Sequence, residues 1–205
     1  MLKAELHVHS NFSDGKDSVK KILQVAIEKG INVISITDHD TINGSLEALE
    51  IVRDEHLPIT VIPGVEISAC EGHVLAYGIL KDIDPGISIK ETCRIVRKLG
   101  GLSFLAHPFD FMRKGCRDLK CFKFVDGIEV FNAKNPFNPI VKFLAKRYSK
   151  PGIAGSDAHS ASLIGLAINL IENCELNSLL KVKRIKYNKF SILKPYLLIL
   201  RRLIP

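Results

Sequence analysis

Six of the seven histidines fall in short polar clusters at the ends of apolar runs. His7 and His9 are two apart in the run 2–9, and the period-two geometry of a strand turns both imidazoles to one side. Two ring nitrogens so placed can share one metal ion. Asp14 follows in Ser13-Asp14-Gly15, Asp38-His39-Asp40 ends the run 33–37, Glu66 closes 59–67 and His73 opens 73–80. His107 sits in Ala106-His107-Pro108 after 102–106, and Asp157 and His159 sit in Gly155-Ser156-Asp157-Ala158-His159 after 152–156. Imidazoles and carboxylates without thiolates suit Zn²⁺, Mn²⁺ or Fe²⁺ and not a cysteine zinc cage. A core built for stability alone does not gather six histidines and three carboxylates in one place, so these residues point to metal-dependent chemistry. His56 lies outside every cluster and reads as an ordinary surface histidine.

The elements that must position these groups are short β-branched runs alternating with amphipathic stretches, the pattern of βα units and a mainly parallel sheet. Predicted strands are 2–9, 33–37, 59–67, 73–80, 102–106, 127–131, 152–156 and 164–171. The spacing of Val19, Ile22, Leu23, Ala26 and Ile27 predicts a helix over 18–29, with Asp17 or Ser18 as its N-cap and Gly30 as its left-handed stop. Ser88 and Glu91 have capping-box spacing ahead of Cys93, Ile95, Val96 and Leu99, and Gly100 ends that helix. Every polar cluster falls at an end of a predicted strand. In a βα barrel such ends converge on one mouth, where enzymes of that architecture carry their sites.

The chain of 205 residues, 46% hydrophobic and 25% charged, is the length and composition of one folded domain, which excludes disorder for most of it. The first residues lack the apolar segment and cleavage site of a signal peptide, and no apolar run reaches the roughly 18 residues of a membrane span; a cytoplasmic protein is expected. The five cysteines contain no CxxC pair and read as reduced, mostly core thiols. The formal net charge of +7 has one visible source: residues 181–205 hold eight Lys and Arg and no acid, leaving 21 bases against 22 acids in 1–180. Residues 1–180 are thus expected to be the functional body and 181–205 a basic tail, with a helix starting at Pro195. The tail either packs on the body with its bases in solvent or contacts nucleic acid, an anionic membrane or a partner protein.

Taken in order, His7-Val8-His9 with Ser13-Asp14-Gly15, Thr37-Asp38-His39-Asp40, Pro63-Gly64-Val65-Glu66-Ile67-Ser68 with Gly72-His73-Val74, Ala106-His107-Pro108 and Gly155-Ser156-Asp157-Ala158-His159 resemble the PHP family, named for its polymerase and histidinol phosphatase members. The resemblance covers roughly residues 2–175. It implies a distorted (β/α)7 TIM-like barrel with up to three divalent ions (Mn, Zn or Fe). It further implies that His7, His9, Glu66 and Asp157 hold the first ion, that Glu66, bridging, holds the second with His73 and His107, and that Asp14, His39 and His159 hold the third.

Three divalent ions bring +6 and Asp14, Glu66 and Asp157 return −3, so a mouth of this kind attracts a dianionic phosphate. Two ions about 3.5–4 Å apart hold a bridging hydroxide in line with phosphorus. The expected activity is phosphoester hydrolysis, on a nucleotide or other phosphomonoester or on a terminal phosphodiester of nucleic acid, with Glu66, Asp157 and His159 acting directly. The alternatives are a metal-dependent amidohydrolase and a non-catalytic metal-binding module recruited through the tail. Arg113 and Lys114 are candidates to clamp a substrate phosphate, or else belong to a solvated basic loop, and Asn132 is placed to reach the mouth. Asp38 and Asp40 are expected either to orient ligand imidazoles or to form turns.

Overall fold

The computed structural model describes residues 1–188. The elements in chain order are β1 (Leu2–Glu5), α1 (Val19–Glu28), β2 (Val33–Ile34), α2 (Asn43–Asp54), β3 (Thr60–Val61), β4 (Gly64–Ala69), β5 (Gly72–Tyr77), α3 (Ile89–Lys98), β6 (Leu102–Leu105), β7 (Gly127–Asn132), α4 (Asn138–Arg147), β8 (Gly152–Gly155), β9 (Ala167–Ile171) and β10 (Arg184–Tyr187). Ser18 caps α1 by accepting from the Lys21 amide, and Gly30 leaves it at φ +67°. Ser88 caps α3 by accepting from the Glu91 amide, but the Glu91 carboxylate pairs with Arg94 and does not return to the cap. Only half of the expected capping box therefore forms.

The strands make two five-stranded sheets of order β10-β9-β1-β2-β3 and β4-β5-β6-β7-β8. They are mixed, which corrects the expectation of a mainly parallel sheet. The expected strand over 59–67 divides at Pro63 into β3 and β4, and β4 returns as β5 through Cys70 and Glu71 alone, a connection too short for a parallel crossover. β5–β6, β1–β9 and β9–β10 are also antiparallel, whereas β1–β2, β2–β3, β6–β7 and β7–β8 are parallel. No continuous ladder closes the described strands into a barrel. Two isolated parallel bridges instead join the sheets, Val8 to Ala158 and His39 to Glu66. Both bridges fall beside predicted metal ligands, so the seams between the sheets and the polar clusters coincide.

Apolar cores lie under the helices. α1 buries Val19, Ile22, Leu23 and Ala26 against Ile34 and Ile36 beyond β2, each fully buried aliphatic side chain contributing about 1.5–3 kcal/mol. Leu6, Phe104, Ile153 and Tyr77 fill the space between the two sheets, where the Tyr77 hydroxyl donates to the Leu6 carbonyl at 2.9 Å. Cys93, Cys116 and Cys121 are buried and Cys70 and Cys174 exposed, all five as free thiols. Of the basic tail, Arg184–Tyr187 adds to β9 as an edge strand; the helix expected from Pro195 and the bases Lys189, Lys194, Arg201 and Arg202 lie outside the described residues. No helix among the described residues is long and apolar enough to cross a membrane.

Candidate metal centre

β1 ends at Glu5, and the chain runs on, held by the Val8 bridge, so that His7 and His9 project together with their Nε2 atoms 3.1 Å apart. Glu66, on β4, is 1% exposed and lies at the centre of the cluster. Its Oε2 is 3.0 Å from His7 Nε2, 3.2 Å from His9 Nε2 and 3.7 Å from His39 Nδ1. Its Oε1 is 2.8 Å from His107 Nε2 and 3.1 Å from His73 Nδ1. One carboxylate thus serves two separate groups of imidazoles, one on each oxygen.

Asp157, just past β8, places Oδ1 at 3.5 Å from His9 Nε2 and 3.3 Å from His159 Nδ1. Asp14 comes from the loop before α1 and reaches His159 Nε2 at 3.0 Å, His9 Nδ1 at 3.5 Å and His39 Nε2 at 4.0 Å. All nine residues singled out by type and spacing therefore meet in one place, while His56 stays at the surface by Asp54. The backbone is strained to bring them there. His107 at φ +27° and Asp157 at φ +50° occupy the left-handed region, at a cost of order 1–3 kcal/mol each.

The electrostatics follow from packing acids and imidazoles out of water. Burial alone would raise the Glu66 carboxyl, but the His7 charge and hydrogen bonds from His107, His7 and His73 hold it well below the usual carboxylate range. Asp157 is likewise held well below that range, burial being outweighed by His7, Lys134 and Arg113. Burial would lower His7, yet Glu129, Glu66 and Asp157 raise it well above the ordinary imidazole value; His107 is raised against burial mainly by Glu66. His39 and His159 are lowered, burial being the leading cause for both.

Three partners of this cluster carry no motif in the sequence. Glu129, fully buried on β7, accepts from His7 Nδ1 at 2.9 Å with one oxygen and from the His107 amide at 2.8 Å and Asn132 Nδ2 at 3.1 Å with the other. A lone acid inside the apolar strand Ile128-Glu129-Val130-Phe131 was the available signal. Lys134 lies 3.2 Å from Asp157 Oδ1 and 2.8 Å from His159 Nδ1. Asp110 grips Arg113 through Nε and Nη2, which leaves Nη1 to reach Asp157 Oδ2 at 2.9 Å. Gly155 permits the close approach of β8 to this group, since a Cβ there would stand 2.2 Å from Glu129 Oε1 and 2.5 Å from His7 Cβ.

Of the two readings of Asp38 and Asp40, as acceptors that orient imidazoles or as acids that shape the loop, the hydrogen bonds fit the second. Asp38 accepts from the Ser10 amide at 2.7 Å and from the Ser10 and Ser13 hydroxyls at 2.6 Å each, and Asp40 accepts from the Ser68 amide at 2.6 Å. Both are spent on backbone and hydroxyl donors, Asp38 shaping the loop that delivers Asp14. Asn132 does reach the site, with Nδ2 3.2 Å from Asp157 Oδ2. Arg113 and Lys114 line, with Asp14, His39, His73 and His159, a cleft of about 320 Å³ open to solvent.

The donor set fits divalent ions. Within the nine residues, four overlapping groups of three or four place their ligand atoms within 4.8 Å of one another: His9-Asp14-His39-His159, His7-His9-Glu66, His7-His107-Asp157 and His39-Glu66-His73. His9 Nδ1 and His107 Nδ1 are buried without a hydrogen-bond partner, and an imidazole nitrogen in that position is costly unless something coordinates or protonates it.

The PHP domain model matches residues 5–109 and a PHP-associated model matches 135–182. An uncharacterized protein of Methanocaldococcus jannaschii is 34% identical over 143 residues, 64% of this chain and 82% of that one. A 5'-3' exoribonuclease of Haemophilus influenzae is 47% identical over 66 residues, which is 32% of this chain and only 23% of the enzyme. Among solved structures, a two-domain protein of Bacteroides vulgatus containing a predicted PHP-like metal-dependent phosphoesterase superposes with a TM-score of 0.74 at 20% identity, over 96% of this chain and 69% of that one.

Proposed function

Because the chain belongs to the PHP domain family and is a metal-dependent ester hydrolase, we propose that it hydrolyses a phosphate ester at the Glu66 cluster: a nucleotide or other phosphomonoester, or a terminal phosphodiester of nucleic acid. The observation that carries this reading is the Glu66 carboxylate, whose two oxygens each face their own imidazoles at 2.8–3.2 Å. That is the arrangement of a carboxylate shared between two ions. The two bridges between the sheets support reading the fold as a distorted seven-stranded barrel of order β1-β2-β4-β5-β6-β7-β8, seamed at Val8–Ala158 and His39–Glu66.

His7, His9, Glu66 and Asp157 would hold a first divalent ion, Glu66, His73 and His107 a second, and Asp14, His39 and His159 a third. Bound there, the ions supply Lewis-acid polarisation of the phosphate and activation of water near neutral pH. Glu66 and Asp157, held ionised by their neighbours, supply anionic ligands. Glu129 accepts at His7 Nδ1 and so turns the Nε2 lone pair towards Glu66. Arg113, pinned by Asp110, and Lys134 flank Asp157 from two sides, with Lys114 beside them on the cleft wall. These cations would bind the non-bridging phosphate oxygens. His159, a quarter exposed on the cleft wall between Asp14 and Lys134, would act directly at the site as the third ion's ligand nearest the solvent.

The test is release of phosphate or nucleotide by Mn²⁺-loaded protein from sugar phosphates, mononucleotides and short phosphorylated RNA and DNA, beside His7→Ala and Asp157→Ala. Turnover on one substrate class, lost in both variants, is expected. A metal-loaded protein inactive on the whole panel would overturn the reading.

A further inference from the structure

The near neutrality of residues 1–180 conceals a segregation of charge. Residues 110–150 hold ten Lys and Arg against four Asp and Glu, and two of those acids, Asp110 and Glu129, are buried beside the metal cluster. Lys114, Arg117, Lys142, Lys146 and Arg147 are exposed and form no ion pair among the described residues.

The same segment exposes large apolar side chains. Phe111 is 58%, Ile140 52% and Phe143 66% exposed. The Phe111 ring lies 6.0 Å from that of Phe137, which immediately precedes α4. Along α4, Val141 and Ala145 turn into the core, which puts Ile140, Lys142, Phe143, Lys146 and Arg147 on the outer face. At the other end, Arg113 and Lys114, next to Phe111 in the chain, line the metal cleft. A strip of interleaved aromatic and basic side chains therefore runs from the cleft over Phe111 and Phe137 and along α4.

A strip of this composition is poorly suited to burial against a folded protein, since burying the four unpaired cations Lys114, Lys142, Lys146 and Arg147 carries a desolvation cost and lysine is depleted from protein interfaces. It is suited to a flexible polyanion with exposed flat rings, where phosphates neutralise the cations and bases stack on the phenylalanines. A duplex offers the charge but keeps its base faces stacked inside. We propose that this strip binds single-stranded nucleic acid, with phosphates on Lys142, Lys146 and Arg147, bases against Phe111 and Phe143, and one end of the strand in the cleft. The placing of that end rests on the phosphoesterase reading; the binding surface does not.

The experiment measures fluorescence anisotropy of single-stranded oligo(U) and oligo(dT), two to twelve nucleotides long, 5′-phosphorylated and labelled at the 3′ end. It uses the full chain in EDTA so that nothing is cleaved. Affinity should rise with length and then level, and should exceed that of a duplex of equal length. Lys142→Gln with Lys146→Gln should shrink the slope of log affinity against log salt by about 1.4, from two lost phosphate contacts at about 0.7 each. Phe143→Ala should weaken binding about tenfold with little change in that slope. Because these changes lie on α4, any affinity from residues 181–205 is left in place. Hydrolysis of p-nitrophenyl phosphate by the Mn²⁺-loaded variants should stay at the wild-type rate. Equal binding by wild type and variants, equal binding of duplex, or preference for phosphatidylserine vesicles over oligonucleotide would each overturn the proposal. If no phosphate ester is hydrolysed but the variants still lose oligonucleotide binding, the phosphoesterase reading falls and the surface stands.

Discussion

Replacing Glu129 by Gln changes one atom in a fully buried side chain that would touch no ion, yet it should weaken the metal centre. The carboxylate accepts three hydrogen bonds, from His7 Nδ1 at 2.9 Å on one oxygen and from the His107 amide and Asn132 Nδ2 at 2.8 and 3.1 Å on the other. An amide has one acceptor end. The end facing two fixed N–H donors must be the oxygen, because turning the NH₂ there would set it against both. The NH₂ then faces His7 Nδ1, and His7 must move its proton to Nε2, the nitrogen 3.0 Å from Glu66. A protonated Nε2 cannot coordinate. Loss of a partner that fixes a ligand imidazole typically costs 10–100-fold in metal affinity, about 1.4–2.7 kcal/mol. Calorimetric titration of Mn²⁺ into apoprotein should show that loss in Glu129→Gln at the site containing His7, while Glu129→Asp and Asn132→Ala serve to separate charge from shape. Wild-type affinity in a folded Glu129→Gln protein would mean that His7 presents Nε2 to an ion without the Glu129 carboxylate.

Gly155→Ala should cost about 1–3 kcal/mol in denaturant unfolding and also weaken metal binding, because its Cβ would stand 2.2 Å from Glu129 Oε1 and 2.5 Å from His7 Cβ; an unchanged midpoint would contradict the packing. Metal affinity should fall as pH falls. His7 and His107 are raised above the ordinary imidazole value, so below their pKa values the apoprotein carries protons that an ion must displace, whereas Glu66 and Asp157 stay ionised. Mn²⁺ titrations at pH 6, 7 and 8 in two buffers of different ionisation enthalpy should show tighter binding and proton release, and pH-independent affinity would contradict this. With a disulfide reagent at pH 8, Cys70 and Cys174 should react fast and three thiols slowly, since Cys93 is pushed up to about 11 by burial and Cys116 and Cys121 are also raised by burial; rapid reaction of all five would place the buried thiols elsewhere.

The proposed ligands were legible because coordination chemistry restricts residue type. His7, His9, Asp14, His39, Glu66, His73, His107, Asp157 and His159 stand out as ionisable groups at the ends of apolar runs, and they meet in the fold. Helices α1 and α3 were legible for a similar reason, since apolar spacing and a serine cap are local signals. The reversal at β4–β5 was not, because a β-branched run reads alike in parallel and antiparallel pairing and only the two-residue connection decides. Glu129 escaped because its role depends on His7, 122 residues away in sequence. The sequence left the roles of Asp38 and Asp40 open between two readings, because an acid beside a histidine in the chain need not face it. The positive charge of residues 110–150 was hidden by an excess of acids elsewhere in the body, which a sum over residues 1–180 cancels.

Nine side chains are proposed to form one metal centre organised on a shared Glu66 carboxylate. An anomalous difference map at the manganese edge, from crystals of the Mn²⁺-loaded protein, tests it most directly. One ion is expected on each oxygen of Glu66, the first also held by His7, His9 and Asp157 and the second by His73 and His107, with a third among Asp14, His39 and His159. Manganese that leaves Glu66 uncoordinated, or bound to only one of its oxygens at saturation, would contradict it.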